Sequence, residues 1–103
     1  MALRAEALCG APLGPADYLA LCNTFHTFIV EAIPKLEAHR RNEAKRFNIF
    51  IDTLYEAHGN LIASADAPPQ ELYPDGDGSF EFQRTVSRLI EMQSADYIAA
   101  RRD

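Results

Sequence analysis

Residues 25–34 read F-H-T-F-I-V-E-A-I-P. The run is short, rich in aromatic and β-branched side chains, and stopped by Pro34. It predicts a buried β-strand over about Phe25 to Glu31. Lys35 to Asn42 is polar and charged and is expected to be a surface connection. The segment E-A-K-R-F-N-I-F-I-D-T-L-Y-E-A-H-G follows, with Ala44, Phe47, Ile51, Leu54 and Tyr55 recurring at steps of three and four. That spacing lines one face of a helix, predicted over about 43–58, with Gly59 as its stop. N-L-I-A-S-A, residues 60–65, reads as a second short strand. Strand, helix and strand joined tightly form a βαβ unit, so the two strands are expected to be parallel. The predicted fold class is α/β.

Upstream, G-A-P-L-G-P (10–15) is a breaker cluster. Pro15 suits the first turn of a helix through A-D-Y-L-A-L-C-N, where its missing N–H costs little. Downstream come the loop D-A-P-P-Q-E-L-Y and a Gly-Asp turn. The last segment, residues 80–103, reads as mostly helical, with Phe82, Val86, Leu89 and Ile90 as its apolar stripe and its arginines elsewhere around it. Two strands alone make a marginal sheet. An exposed edge or apolar face is therefore expected, and self-association or protein partners with it.

The 103 residues are 48% hydrophobic, enough for one packed module. A net charge of −5 argues against a free-standing nucleic-acid binder. Cys9 and Cys22 form no C-x-x-C pair, which fits a reducing, cytoplasmic compartment. No run reaches the roughly 18 apolar residues of a membrane span. The opening M-A-L-R-A-E-A-L-C-G-A lacks the apolar core of a secretory signal.

The stretch Y-P-D-G-D-G-S-F-E-F-Q-R (73–84) invites comparison with a calcium loop. With Gly78 at loop position 6, Asp75 and Asp77 fall on ligand positions. However, Tyr73 stands where the first ligand belongs, and Arg84 where the bidentate Glu belongs. Pro68, Pro69 and Pro74 also forbid the preceding helix. Asp75 and Asp77 therefore read as residues of a solvated turn, and no metal is expected. Cys22 and His26 lack a second ligand pair. Ser64, His26 and Asp52 lack a G-x-S-x-G elbow. Neither G-x-x-x-x-G-K-[ST] nor G-x-G-x-x-G is present.

Five blocks together carry a resemblance: L-C-G-A-P-L-G-P-A-D-Y-L-A-L (8–21), F-H-T-F-I-V-E-A-I-P (25–34), R-F-N-I-F-I-D-T-L-Y-E (46–56), L-I-A-S-A-D-A-P-P-Q-E-L-Y (61–73) and F-E-F-Q-R-T-V-S-R-L-I-E-M-Q-S-A-D-Y (80–97). In order, they resemble the C-terminal third of the AAA-type P-loop ATPases that include the bacterial cell-division protein ZapE and its mitochondrial relatives. The most specific blocks are R-F-x-x-x-I-D-x-L-Y and R-T-x-S-R-L-x-E-M-Q-S. The resemblance implies a fragment of a larger AAA-type fold, lying after the Walker A and Walker B motifs. It implies ATP and Mg²⁺ for the full-length family, and a division-ring protein as a partner. For this chain it implies no bound cofactor and no ATP hydrolysis alone. An autonomous α/β interaction module is the alternative.

The resemblance also implies where a nucleotide would be sensed. ATPases of this type use arginines of C-terminal helices and subunit edges to reach phosphates. A guanidinium stays charged and grips oxygens in a fork. Arg84 and Arg88 are four apart and share one helix face. Arg46 opens the other helix and is the third candidate. The plainer reading is that Arg84 and Arg88 solvate the helix or pair with Glu81 and Glu91.

Overall fold

The structure, a computed structural model, describes residues 1–38, 40–74, 76 and 78–94. Its elements run β1 (Ala2–Arg4), α1 (Ala5–Cys9), α2 (Pro15–Thr24), β2 (Thr27–Ile33), α3 (Arg41–Glu56), β3 (Asn60–Ala65), a single 3₁₀ turn (Pro69–Glu71) and α4 (Ser79–Glu91). The three strands form one parallel sheet in the order β1-β2-β3. The fold is α/β, and the predicted βαβ unit is its centre: β2 and β3 pair in parallel across α3.

Besides a shift of two residues at each end of α3, three features differ from the sequence reading. The first strand starts two residues later than predicted and runs on to Ile33. The sheet has a third strand, β1, which three residues of A-L-R were too short to announce. Leu36, expected at the surface, is buried, and its N–H donates to the Leu72 carbonyl at 2.7 Å.

Strand order explains where the helices lie. Right-handed crossovers that step in one direction across a parallel sheet lay their helices on one face. β2 shows the result: Phe28, Val30 and Ile33 point into the core, while Ile29, Glu31 and Ala32 point out. The strand predicted as buried is thus buried on one side only. Its inward side meets the α3 face of Ala44, Phe47, Ile51 and Leu54, as the spacing required, together with Phe50. Phe50 sits edge-on to Phe28 at 5.2 Å between centroids and tilted against Tyr18 of α2 at 6.1 Å. Tyr55, placed on that face by its spacing, is only half-buried.

Local chemistry sets the ends. Pro15 opens α2 as expected, and Asp17 accepts the Gly14 N–H at 2.9 Å. At the end of α3 the left-handed residue is His58 (φ 55°), not Gly59. Gly59 is needed for space: a Cβ there would lie 2.2 Å from Leu54 Cδ1 and 3.1 Å from the His26 carbonyl oxygen. In the turn before α4, Gly76 and Gly78 carry φ of 118° and 83°. Asp75 and Asp77, His39, and the end of the predicted C-terminal helix (residues 95–103) lie outside the described residues. On α4, Phe82, Val86 and Leu89 are core, joined by Thr85. Ile90, assigned to that stripe from sequence, is 49% exposed.

Candidate functional site: the seam between α3 and α4

The two most specific sequence blocks lie on α3 and α4, and these helices pack against each other. The contacts between them come largely from the blocks themselves. Phe47 stacks on Phe82 with centroids 6.1 Å apart, and Tyr73 meets Phe82 edge-on at 5.6 Å. Thr85, buried, donates its hydroxyl hydrogen bond to the Asn48 side-chain oxygen.

Asp52 is the hub of the polar half. Its Oδ2 accepts from Arg84 Nη2 at 2.9 Å, and its Oδ1 accepts from Arg88 Nη1. Arg88 also reaches Glu56 at 4.0 Å and lies over the Tyr55 ring, 4.8 Å from its centroid. That geometry adds a cation–π contact to the ion pair. The Tyr55 hydroxyl donates to Glu91 Oε2 at 2.8 Å. This bond to a carboxylate holds the Tyr55 pKa above its ordinary value.

The structure therefore brings Arg84 and Arg88 together, through a partner that sequence did not nominate. The two arginines share the Asp52 carboxylate of α3 and do not pair with Glu81 or Glu91. One feature of the sequence marks Asp52: it is the lone acid within the stretch I-F-I-D-T-L-Y. The two arginines differ in exposure. Arg88 is 21% exposed, enclosed by Tyr55 and Asp52, whereas Arg84 is 67% exposed. Arg84 is thus tethered by one ion pair to Asp52 and has donors left over.

Arg46 lies elsewhere. It is half-buried, and its Nη1 donates to the Cys9 carbonyl at 3.0 Å, tying α3 to α1. Ser64 and Asp52 are not neighbours in function either: the Ser64 hydroxyl accepts the Ala32 N–H at 2.9 Å. Among the described residues, no three His, Cys, Asp or Glu side chains gather as a metal site.

A family model, AFG1-like ATPase, matches residues 1–101. The chain belongs to this ATPase family. It is 39% identical over 98 residues to the cell division protein ZapE of Escherichia coli K12, a match covering 95% of this chain and 26% of that protein. It is 36% identical over 121 residues to protein C115.02c of Schizosaccharomyces pombe, covering 90% of this chain and 27% of that one. Lactation elevated protein 1 homolog B of Danio rerio is 31% identical over 124 residues, covering 89% and 25%. No solved structure matches. The chain thus spans about a quarter of the length of the curated relatives it matches. The ATPase resemblance read from the five blocks is correct, and the two most specific blocks prove to be the two sides of one seam.

A second concavity lies at the carboxyl ends of β1 and β2, the edge where parallel α/β sheets commonly place ligands. It encloses about 710 Å³ and is lined by Arg4, Glu6, Cys9, Ala32, Arg40 and Glu43 among others. Sequence reasoning missed it because β1 was unseen. Its charged residues are two of each sign, so it selects neither anion nor cation. Burial pushes the Cys9 thiol up to about 12, with Arg46 opposing and Glu43 adding. That thiol stays protonated at neutral pH and is a packing group, not a nucleophile.

Proposed function

We propose that this chain acts as the C-terminal module of an ATP-hydrolysing protein, that it does not turn ATP over alone, and that Arg84 reaches the phosphates of a nucleotide held elsewhere. The observation that carries this reading is the combination at Arg84: largely exposed, yet aimed by Asp52 and flanked by Arg88 within a specific block. The seam does not suit a complete ATP·Mg²⁺ site. Its two guanidiniums are already held by carboxylates, both by Asp52 and Arg88 also by Glu56, and the sequence carries no phosphate-cradling glycine loop. It suits the loan of one guanidinium to charge that builds up during phosphoryl transfer. Arg88 then serves as the anchor. Arg46, spent on the Cys9 carbonyl, is the weakest of the three candidates.

ATP and Mg²⁺ in this reading are bound by segments bearing Walker motifs. The name of the Escherichia coli relative, a cell division protein, supports a role in cell division, and a cytoplasmic place with a division-ring partner is what the resemblance adds to this reading. No helix among the described residues is long and apolar enough to cross a membrane.

The test uses that relative. Its residue at the position aligned with Arg84 is replaced by Ala and by Lys, and nucleotide affinity and turnover are measured separately. Turnover should fall by on the order of 10³-fold, the low end for an arginine serving phosphoryl transfer, and Lys should restore little of it. Folded variants that hydrolyse ATP at the parental rate would make the pair plain surface charge.

A further inference from the structure

A carboxylate and a lone guanidinium tend to close two parallel hydrogen bonds, both oxygens to one fork. Asp52 is divided instead. Its Oδ1 accepts from Nη1 of Arg88 and its Oδ2 from Nη2 of Arg84, so each arginine receives one oxygen. Arg88 is the better placed of the two to take both, since it is 21% exposed against 67% for Arg84 and water screens its charge less. Two contacts hold it back. Glu56 lies 4.0 Å from Arg88 Nη2, but that carboxylate is 75% exposed, and so long and wet a pair is worth little. The other contact is the Tyr55 ring, over which the guanidinium lies, 4.8 Å from Cζ to the centroid. A ring face attracts the cation and also fixes the plane in which its fork can open. Tyr55 is itself tied to both helices. It stands on α3 three residues after Asp52, and its hydroxyl donates at 2.8 Å to Glu91 of α4, three residues after Arg88. Residues so spaced are neighbours on one helix face. Asp52, Arg88, Tyr55 and Glu91 therefore form a chain of contacts that crosses the seam three times.

We propose that Tyr55 is a positioning residue: its ring holds Arg88 to Oδ1 of Asp52 and so keeps Oδ2 for Arg84. Without the ring, Arg88 closes its fork on both oxygens and Arg84 loses its tether. The consequence for catalysis rests on the nucleotide role proposed for Arg84, whereas the division of the carboxylate does not. The ring is the working part. A phenyl ring offers a cation the same kind of face, and an aliphatic side chain offers none. Tyr55 is only half-buried, so a leucine there leaves the core as it is and separates positioning from packing.

NMR of the arginine side chains in the 103-residue chain reads the division directly. The Tyr55 ring should shift the Arg88 guanidinium signals upfield, and Tyr55→Leu should abolish that shift. In the same variant the Arg84 signals should move towards those of a free arginine, although Arg84 is bonded to Asp52 and not to the ring. Tyr55→Phe should preserve both sets. In the Escherichia coli relative, Leu at the position aligned with Tyr55 should lower turnover about tenfold with KM unchanged, and Phe there should restore most of it. Leu combined with Ala at the position aligned with Arg84 should lose no more than that Ala alone. Arg84 signals that stay in place in Tyr55→Leu would overturn the division of the carboxylate. If they move and turnover stays parental, while Ala at the Arg84 position is costly, the positioning role alone is overturned. If that Ala is silent too, the nucleotide role of Arg84 falls, and the NMR signals still decide whether Tyr55 divides the carboxylate.

Discussion

One side of the sheet is finished and the other is not. On the helix side, Phe28 and Val30 of β2 meet Phe50, Ile51 and Leu54 of α3, all fully buried. On the far side, Ile29 and Ile62 lie next to each other in register, 38% and 60% exposed. Both sides belong to the same strands and use similar residues. Strand order makes the difference: a sheet that winds only one way puts its helices on only one face. Doubly wound folds cover the second face by reversing that order, and no reversal occurs among the described strands. Apolar content alone therefore does not tell which strand residues are core.

The contrast is sharpest in the cost of truncation. Phe50→Ala should destabilise the chain by about 3–5 kcal/mol, since it empties the place where Phe28 and Tyr18 converge. Chemical denaturation measures it. A cost near that of a surface change would mean the helix side is not the core described.

The helix side also predicts a pH dependence. Burial raises Cys9 to about 12 and Cys22 to about 11, and it raises Tyr18 to about 12. In the unfolded chain the thiols ionise near 9.0. The folded state therefore holds more protons between these values, and stability falls as pH rises through that window. Stability should show no loss from these groups below about pH 9 and should drop by at least about 2 kcal/mol by about pH 11. A flat profile through that range would show the thiols to be solvated.

Smaller again is Tyr18→Phe. The hydroxyl donates to the buried Leu8 carbonyl at 2.8 Å, and its loss should cost about 1–3 kcal/mol by leaving that acceptor unpaired. At the far end of the scale, Ile62→Thr should change stability by less than about 0.5 kcal/mol. A large loss there would mean the bare face is covered within the chain itself.

How much of this was legible in the sequence varied with length and period. α3, with sixteen residues and a clear three-and-four step, was readable to within two residues at each end. β1 was not, because three residues cannot show a period of two. The half-burial of β2 was hidden because Ile29 is as apolar as the core residues beside it. Ile90 misled in the same way on α4. Of the candidate site, Arg84 and Arg88 were found through helix spacing and the resemblance. Asp52, which joins them, was not, since the pairing of two helices distant in sequence is a tertiary fact. The left-handed turn at His58 was masked by Gly59, whose role is space, not backbone angle.

In the function proposed, Asp52 acts on nucleotide chemistry only by aiming Arg84. A double-mutant cycle in the Escherichia coli relative tests it, with Ala placed at the positions aligned with Asp52 and Arg84, singly and together, and turnover measured on folded protein. If Asp52 works through Arg84, each single variant loses turnover, and the double variant loses no more than Arg84→Ala alone. Losses that multiply, or parental turnover in the Asp52→Ala variant, would contradict the account.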